Sequence, residues 1–380
     1  MVQAGGRGIA TALHKELKHL LGQHRTEYKN ILEIKSAVEE ADALVNLCRA
    51  ILRESSLCYV SGDLVHFDGK IYSGVELEAA GKALENILMD TGAPPSIVSR
   101  MKGTHLSVIG EKSFSKTPFI AFENGVLNIR TLEWSEGFNP GRIVTEYLPY
   151  SYDPGALCPR WEAFLGEVMP DEQLRLVLQE FFGMVYLDRT GFSVEKFALF
   201  VGKGANGKSV IFEVMKNVIG EKNISHFDSA QLADDKMLPY VKDVRLNFAP
   251  DMAKQKDFSS ALKALASGQE VMGRRIYKDA EKIKCPPLCF AMNELPHFRD
   301  VTDAFFRRIL LFSFDVQIPP HRQDKRLAER ICESDRPGIM NWILQGRFRL
   351  IRSGGEFTYS EKNRNSFNDH STSVDTQRLF

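Results

Sequence analysis

Apolar positions recur at helical spacing through the first part of the chain. Leu13, Leu17, Leu20 and Leu21 are followed by Ile31, Ile34, Val38, Ala41, Leu44 and Val45, which predicts helix over about 8–55. Over 57–74 the pattern becomes an alternation around Gly62 and Asp68-Gly69, predicting a strand pair joined by short turns. Helical period returns over 75–90, and TGAPPS breaks it. FIAFENGVLNIRTLEW, residues 119–134, reads as a hairpin with Asn124-Gly125 as its turn. The Pro- and Gly-rich stretch 148–161 reads as an extended connector across the surface. Residues 162–187 read as helix broken at Pro170, with Asp171 as a helix cap.

Beyond about residue 190 the order becomes strand, loop, helix, strand. KFALFVG (196–202) has the length and composition of a buried strand, and SVIFEVMKNVIG (209–220) that of a helix ending at Gly220. Residues 244–251, 285–294 and 307–315 read as further core strands. Strands alternating with helical stretches point to a parallel α/β core. The expected organisation is therefore a helical and mixed N-terminal region over 1–118, a candidate collar, followed by a domain over 119–190, the core over 191–352, and a polar, linker-like tail over 353–380.

Composition narrows this picture. The 49 Lys and Arg balance 49 Asp and Glu, which excludes a wholly basic nucleic-acid coat but not a local basic strip. Only Cys285 and Cys289 of the six cysteines lie close together. With no second pair to complete a tetrahedral site, buried thiols are the expectation, not zinc. No signal-type N-terminus and no uninterrupted apolar run of about 18 residues occurs, so a soluble, cytoplasmic protein without membrane partners is expected.

GKGANGKSV, residues 202–210, fits the phosphate-loop pattern in full. Gly202, Gly204 and Gly207 are read as permitting backbone torsions that a side chain forbids. Together with Ala205, Asn206 and Val210, these residues form a loop whose N–H groups turn inward on phosphate oxygens. The helix starting near Lys208 adds its positive end. Lys208 is assigned to the β- and γ-phosphates of ATP and the Ser209 hydroxyl to Mg²⁺.

Three later strands carry polar tips. RLNFAPD ends in Asp251, where a carboxylate can hold Mg²⁺ through water and polarise the attacking water; an Asp capping a turn is the plain alternative. FAMNELP ends in Asn293, which can orient water or sense the γ-phosphate, although Asn-Glu before Pro is also ordinary turn chemistry. Arg307 and Arg308 precede the strand ILLFSFD. They are either a solvated edge or, in a ring ATPase, the source of a guanidinium that reaches the neighbour's triphosphate.

Taken in order, GKGANGKS, RLNFAPD, LKALASGQE, GRRIYKD, CFAMNELP and FFRRI resemble the superfamily 3 helicases, specifically the phage, plasmid and poxvirus primase-helicases. The resemblance covers about 119–352. It implies an α/β protein: a P-loop, AAA+-like ATPase core with a parallel sheet, preceded by a mixed, largely helical α+β region. Lys208 and Ser209 then correspond to the Walker A contacts, Asp251 to the Walker B acid, and Asn293 to the motif C sensor. Arg308 best matches the arginine finger, with Arg307 the second choice. Many members carry two adjacent acids at the Walker B position, whereas here Pro250 precedes Asp251, so one acid must serve and ATPase activity is open to weakening. Lys263 falls in the LK segment without an assigned role.

Between the acidic and Asn strands, residues 270–287 are the densest basic stretch of this half: Arg274, Arg275, Lys278, Lys282 and Lys284. Val271, Ile276, Tyr277 and Ile283 suggest two short strands with a tip near Tyr277-Lys278-Asp279. The resemblance makes this the hairpin that enters the ring's channel. Its cations suit the phosphates of a single strand, and a tyrosine can stack on a base; a solvated edge kept soluble by lysines is the plain alternative. The expected protein is an ATP-dependent replicative helicase working on single-stranded or forked DNA as a homo-hexamer. It is expected to be encoded by a phage or mobile element and to act beside other replication proteins. The competing readings are a DNA-packaging or other translocating ATPase, a nucleotide-binding protein without turnover, and a small-molecule kinase.

Overall fold

The computed structural model describes residues 3–33, 37–60, 63–90, 118–187, 194–242, 244–250, 264–268, 270–275, 279–295 and 303–360. The chain forms two compact units, residues 1–151 and 152–380.

The first unit opens with three helices, α1 (Gln3–Gln23), α2 (Arg25–Leu32) and α3 (Ala37–Glu54). The apolar stripe that predicts them is what they bury. Leu13, Leu17, Leu21, Ile31, Leu44, Leu47 and Ile51 share one core with Ala80 and Ala83, which belong to α4 (Leu77–Asp90). Between α3 and α4 lies an antiparallel sheet of three strands, β1 (Leu57–Val60), β2 (Asp63–Phe67) and β3 (Tyr72–Gly74). The third strand is too short to show alternation. Its turn is made by the Asp68 carboxylate, which accepts from the N–H groups of Lys70 and Ile71, each at 2.9 Å. Buried His66 ties β2 to α1, its Nε2 2.6 Å from Glu16 Oε2. A second antiparallel sheet comprises β4 (Phe119–Phe122), β5 (Gly125–Asn128) and β6 (Trp134–Glu136). Phe122 pairs with Gly125, so the hairpin turns on Glu123-Asn124, one residue earlier than the Asn-Gly signal suggests.

The second unit begins with α5 (Pro159–Val168) and α6 (Glu172–Met184). Asp171 caps α6 as its sequence position predicts, accepting from Leu174 N at 3.1 Å. The cap of α5 comes from far along the chain. Cys158 offers no side-chain bond there; buried Asp335 instead accepts from Arg160 N (2.7 Å) and Trp161 N (3.0 Å). Asp335 lies on the long helix α10 (Leu327–Arg352), which packs on α5 and α6. Trp161 meets Trp342 edge to face, with ring centroids 5.6 Å apart.

The centre of this unit is a five-stranded sheet in the order β13-β7-β12-β9-β8. Its members are β7 (Phe197–Val201), β8 (Ile224–Ser225), β9 (Leu246–Ala249), β12 (Leu288–Met292) and β13 (Ile309–Ser313), and every neighbouring pair is parallel. Their runs FALFV, LNFA, LCFAM and ILLFS are apolar except at Asn247 and Ser313, as strands covered on both faces require. Cys285 and Cys289 are buried thiols of this core. The two-residue edge strand β8 is fastened by a fully buried polar residue: Asn247 Oδ1 accepts from Ser225 Oγ (2.8 Å) and Phe227 N (3.0 Å). The helix α7 (Lys208–Ile219) links β7 to β8, two short helices follow as α8 (Ser229–Leu232) and α9 (Asp303–Phe306), and a separate hairpin pairs β10 (Glu270–Arg274) with β11 (Ala280–Lys284).

Candidate nucleotide loop and basic hairpin

Because the sheet is wholly parallel, the segments leaving β7, β9, β12 and β13 all emerge at one end. Strand β7 lies between β12 and β13, although the chain runs from it to the far edge first. Such a reversal of strand order opens a crevice at the carboxyl ends, and the segment 202–207 fills it. Gly202 N donates to Met292 O at 3.2 Å, Phe314 N to Val201 O at 2.7 Å, and Ile318 N to Ala205 O at 2.8 Å. The loop is thus held on both sides by the strands that flank it.

Asn206 fixes the loop's interior. Its side chain is buried, and Nδ2 donates to Lys203 O (2.9 Å) and Phe314 O (3.2 Å). Its Oδ1 accepts from Lys208 Nζ at 3.1 Å, and the same ammonium donates to Gly202 O. The lysine is therefore folded back over the loop, its charge shared between a carbonyl and an amide oxygen. Ser209 and Gly204 are exposed, Val210 is half-buried, and Gly207 precedes α7 without supplying a side-chain cap. The first N–H groups of a helix so begun are donors suited to an anion.

Two of the three glycines are needed, for different reasons. Gly207 has φ +90°, and a Cβ there would come within 2.7 Å of Val168 Cγ1, so both torsion and space forbid a side chain. Gly202 has no unusual torsion, but its Cβ would stand 2.5 Å from Phe314 O. Gly204 departs from the expectation, with open space around it and no positive φ; the left-handed turn falls on Ala205 instead, at φ +60°.

Asn293 occupies an exposed turn directly after Met292, whose carbonyl accepts from the start of the loop. Asp251 lies outside the described residues, as does Lys263; β9 stops at Ala249, before an exposed Pro250. Arg307 and Arg308 are at the other end of the sheet. Arg308 O accepts from Phe197 N, the first residue of β7, at 2.9 Å, whereas the loop follows the last. The structure therefore brings Gly202–Ser209 and Asn293 to one edge and places the arginine pair at the opposite one. Arg308 Nη2 lies 2.6 Å from Glu195 Oε2. Glu195 was missed in the sequence; the one signal for it is an acid just before the strand that pairs beside Arg-Arg.

The basic hairpin forms with Glu270 opposite Lys284 and Arg274 opposite Ala280, as the alternation predicts. Its tip residues 276–278, including Tyr277 and Lys278, lie outside the described residues. The hairpin is braced where Arg274 N donates to Asp235 O at 3.1 Å. Its cations have acidic partners: Arg274 with Asp235 (3.5 Å), Arg275 with Glu281 (3.9 Å) and Lys282 with Glu270 (3.4 Å). All three cations are exposed, and pairs of this kind are weak enough to exchange for other anions.

The chain is thus an α/β protein whose wholly parallel sheet follows a largely helical N-terminal region in sequence. Residues 15–170 match the family described as D5 N terminal like, and residues 200–308 match a Family of unknown function (DUF5906). The chain is 26% identical over 243 residues to "Putative helicase 121R" of Invertebrate iridescent virus 3, a match covering 57% of this chain and 25% of that protein. It is 24% identical over 222 residues to a protein of Acanthamoeba polyphaga mimivirus also named as a putative helicase, covering 54% of this chain and 22% of the relative. The chain thus spans about a quarter of the length of these curated relatives. Among solved structures, the A form apo structure of the NrS-1 C terminal region superposes with a TM-score of 0.54 at 14% identity, covering 81% of this chain and 70% of that one. A second apo structure of that region gives 0.52 at 12% identity, with the same coverage. The chain therefore carries a D5 N-terminal-like region ahead of the sheet unit and is similar over about half its length to viral proteins named as putative helicases. No helix among the described residues is long and apolar enough to cross a membrane.

Proposed function

We propose that the chain is the motor part of a superfamily 3 DNA helicase, which binds ATP at the loop 202–210 and uses its hydrolysis to move along single-stranded or forked DNA. The observation that carries this is the loop itself. Lys208, the first residue of α7, is held over Gly202 O and Asn206 Oδ1 at a helix start without a side-chain cap. A triphosphate entering there would meet inward donors and a full positive charge already in place.

Gly202, Gly204, Ala205, Asn206, Gly207 and Val210 would line the phosphates, with Lys208 as their cation. Ser209 and Asp251 would hold Mg²⁺, which supplies charge neutralisation to the phosphates. Asn293, beside the loop's first residue, would orient water. Since Arg307 and Arg308 lie at the far end of the strand from their own loop, a guanidinium from this pair serves a nucleotide only if a neighbouring copy lends it. That supports a ring, for which six copies is the family-like number. Arg274, Arg275, Tyr277, Lys278 and Lys282 would face the DNA, with phosphates replacing Asp235, Glu281 and Glu270 as partners of the cations.

The second reading is a nucleotide-binding protein with weak turnover, favoured by the single acid after Pro250 and by the paired state of the hairpin cations. ATP hydrolysis and unwinding of a forked duplex by the purified chain separate the two, with Lys208→Ala as the control. Unwinding that needs Lys208 supports the helicase. Tight nucleotide binding with no turnover, with or without DNA, supports the second reading.

A further inference from the structure

The turn that leads into β13 carries two consecutive arginines, of which motif spacing selects Arg308 as the finger. We infer that Arg307 is instead the guanidinium that reaches a neighbouring copy's nucleotide, and that Arg308 and Glu195 are its positioning pair. The inference rests on the shared site proposed above.

The two side chains differ sharply in exposure, which divides the pair into one inward and one outward guanidinium. Arg308 is the inward one: its side chain is 13% exposed and its Nη2 lies 2.6 Å from Glu195 Oε2. Arg307 is 66% exposed, and its Nη2 is 3.8 Å from that same oxygen. For Arg308 to extend, a largely buried guanidinium must abandon a short ion pair with the half-buried Glu195 carboxylate and leave it without its closest cation, which costs more than parting a solvated pair. Arg307 gives up only a long, solvated approach of the kind that contributes little.

The backbone beneath Arg307 is fixed while its side chain is outside. Lys196 Nζ donates to Arg307 O at 2.5 Å. Arg308 N donates to Phe305 O at 3.0 Å, and Phe197 N donates to Arg308 O at 2.9 Å. A guanidinium projecting from an anchored main chain needs little reorganisation to stabilise charge on a phosphate. Glu195 serves both arginines: it clamps the inward one and, through the clamp, sets the direction of the outward one.

The test compares Arg307→Ala, Arg308→Ala, Arg308→Lys and Glu195→Gln in the full chain, by ATP hydrolysis, ATP affinity, thermal melting and mixing with Lys208→Ala. Arg307→Ala is expected to bind ATP as the native chain does and to lose about 10³-fold in kcat. It should regain turnover when mixed with Lys208→Ala, because a site built from both variants has an intact loop and an intact finger. Arg308→Ala and Glu195→Gln are expected to lose roughly 10- to 100-fold, with Arg308→Lys recovering most of it by restoring a cation to Glu195. A folded, ATP-binding Arg308→Ala that loses 10³-fold and is complemented by Lys208→Ala, beside an Arg307→Ala with near-native turnover, overturns the assignment. If the native chain hydrolyses ATP but no mixture regains turnover, the shared site fails first and the inference falls with it.

Discussion

Replacing Asn206 by alanine removes the one side chain that fixes the phosphate loop from within. Two neutral bonds are lost, to Lys203 O (2.9 Å) and Phe314 O (3.2 Å), together with the bond Oδ1 accepts from Lys208 at 3.1 Å. Neutral bonds contribute about 1 kcal/mol each and a charged one about 2 kcal/mol. Lys208 keeps Gly202 O, which reduces the total to about 3 kcal/mol, an order-of-magnitude figure. Two readouts follow. If the loop must recover its shape to hold a triphosphate, ATP affinity falls by about 10²-fold. The sheet unit should also melt about 6–12 °C lower, at roughly 2–4 °C per kcal/mol for its size. Calorimetric titration of ATP into the native and Asn206→Ala chains measures the first, and a thermal scan the second. An ATP affinity within threefold of native, with an unchanged melt, would refute the view that Asn206 organises the loop.

The hairpin predicts a salt signature: replacing Arg274, Arg275 and Lys282 together by alanine should reduce the slope of log affinity against log salt for single-stranded DNA by about 2, read by fluorescence anisotropy, and an unaltered slope excludes these cations from the DNA. Asp335→Ala removes the distant cap of α5, formed by bonds from Arg160 N and Trp161 N; a loss of about 2 kcal/mol should appear as a midpoint shift in urea. The N-terminal unit should lose stability as pH rises from 6.5 upward. Glu54, and then Glu27, hold His24 above its ordinary pKa of 6.5. A raised pKa means the fold prefers the protonated ring, so this contribution is complete below 6.5 and is lost as pH rises through the folded value. His24→Gln should flatten that dependence in melts across the same range.

Much of this architecture is legible in the sequence, because local patterns carry it. The strand-loop-helix around Gly202–Ser209, the cap at Asp171 and the hairpin 270–284 each depend on residues close in sequence. The four longer strands of the parallel sheet are readable because burial on both faces leaves them almost wholly apolar. What is not legible depends on distant partners. Asp335 caps a helix far upstream in the chain, Asn247 fastens a two-residue strand that no periodicity can reveal, and the acid that clamps Arg308 arrives from the segment just ahead of β7. The same limit applies to charge. Residues 270–287 read as a basic strip, yet Asp235 from another segment and Glu270 and Glu281 across the hairpin partner its cations. Gly204 shows the converse error, since a motif position need not carry the torsion associated with it, and here Ala205 does.

The central claim is that nucleotide held by the loop drives work on DNA. Its most direct measurement is the ATP hydrolysis rate of the native chain and of Lys208→Ala as single-stranded DNA is titrated in. Turnover that rises with DNA in the native chain and vanishes in the variant is the predicted result. Hydrolysis indifferent to DNA, or equal in the two proteins, would contradict it.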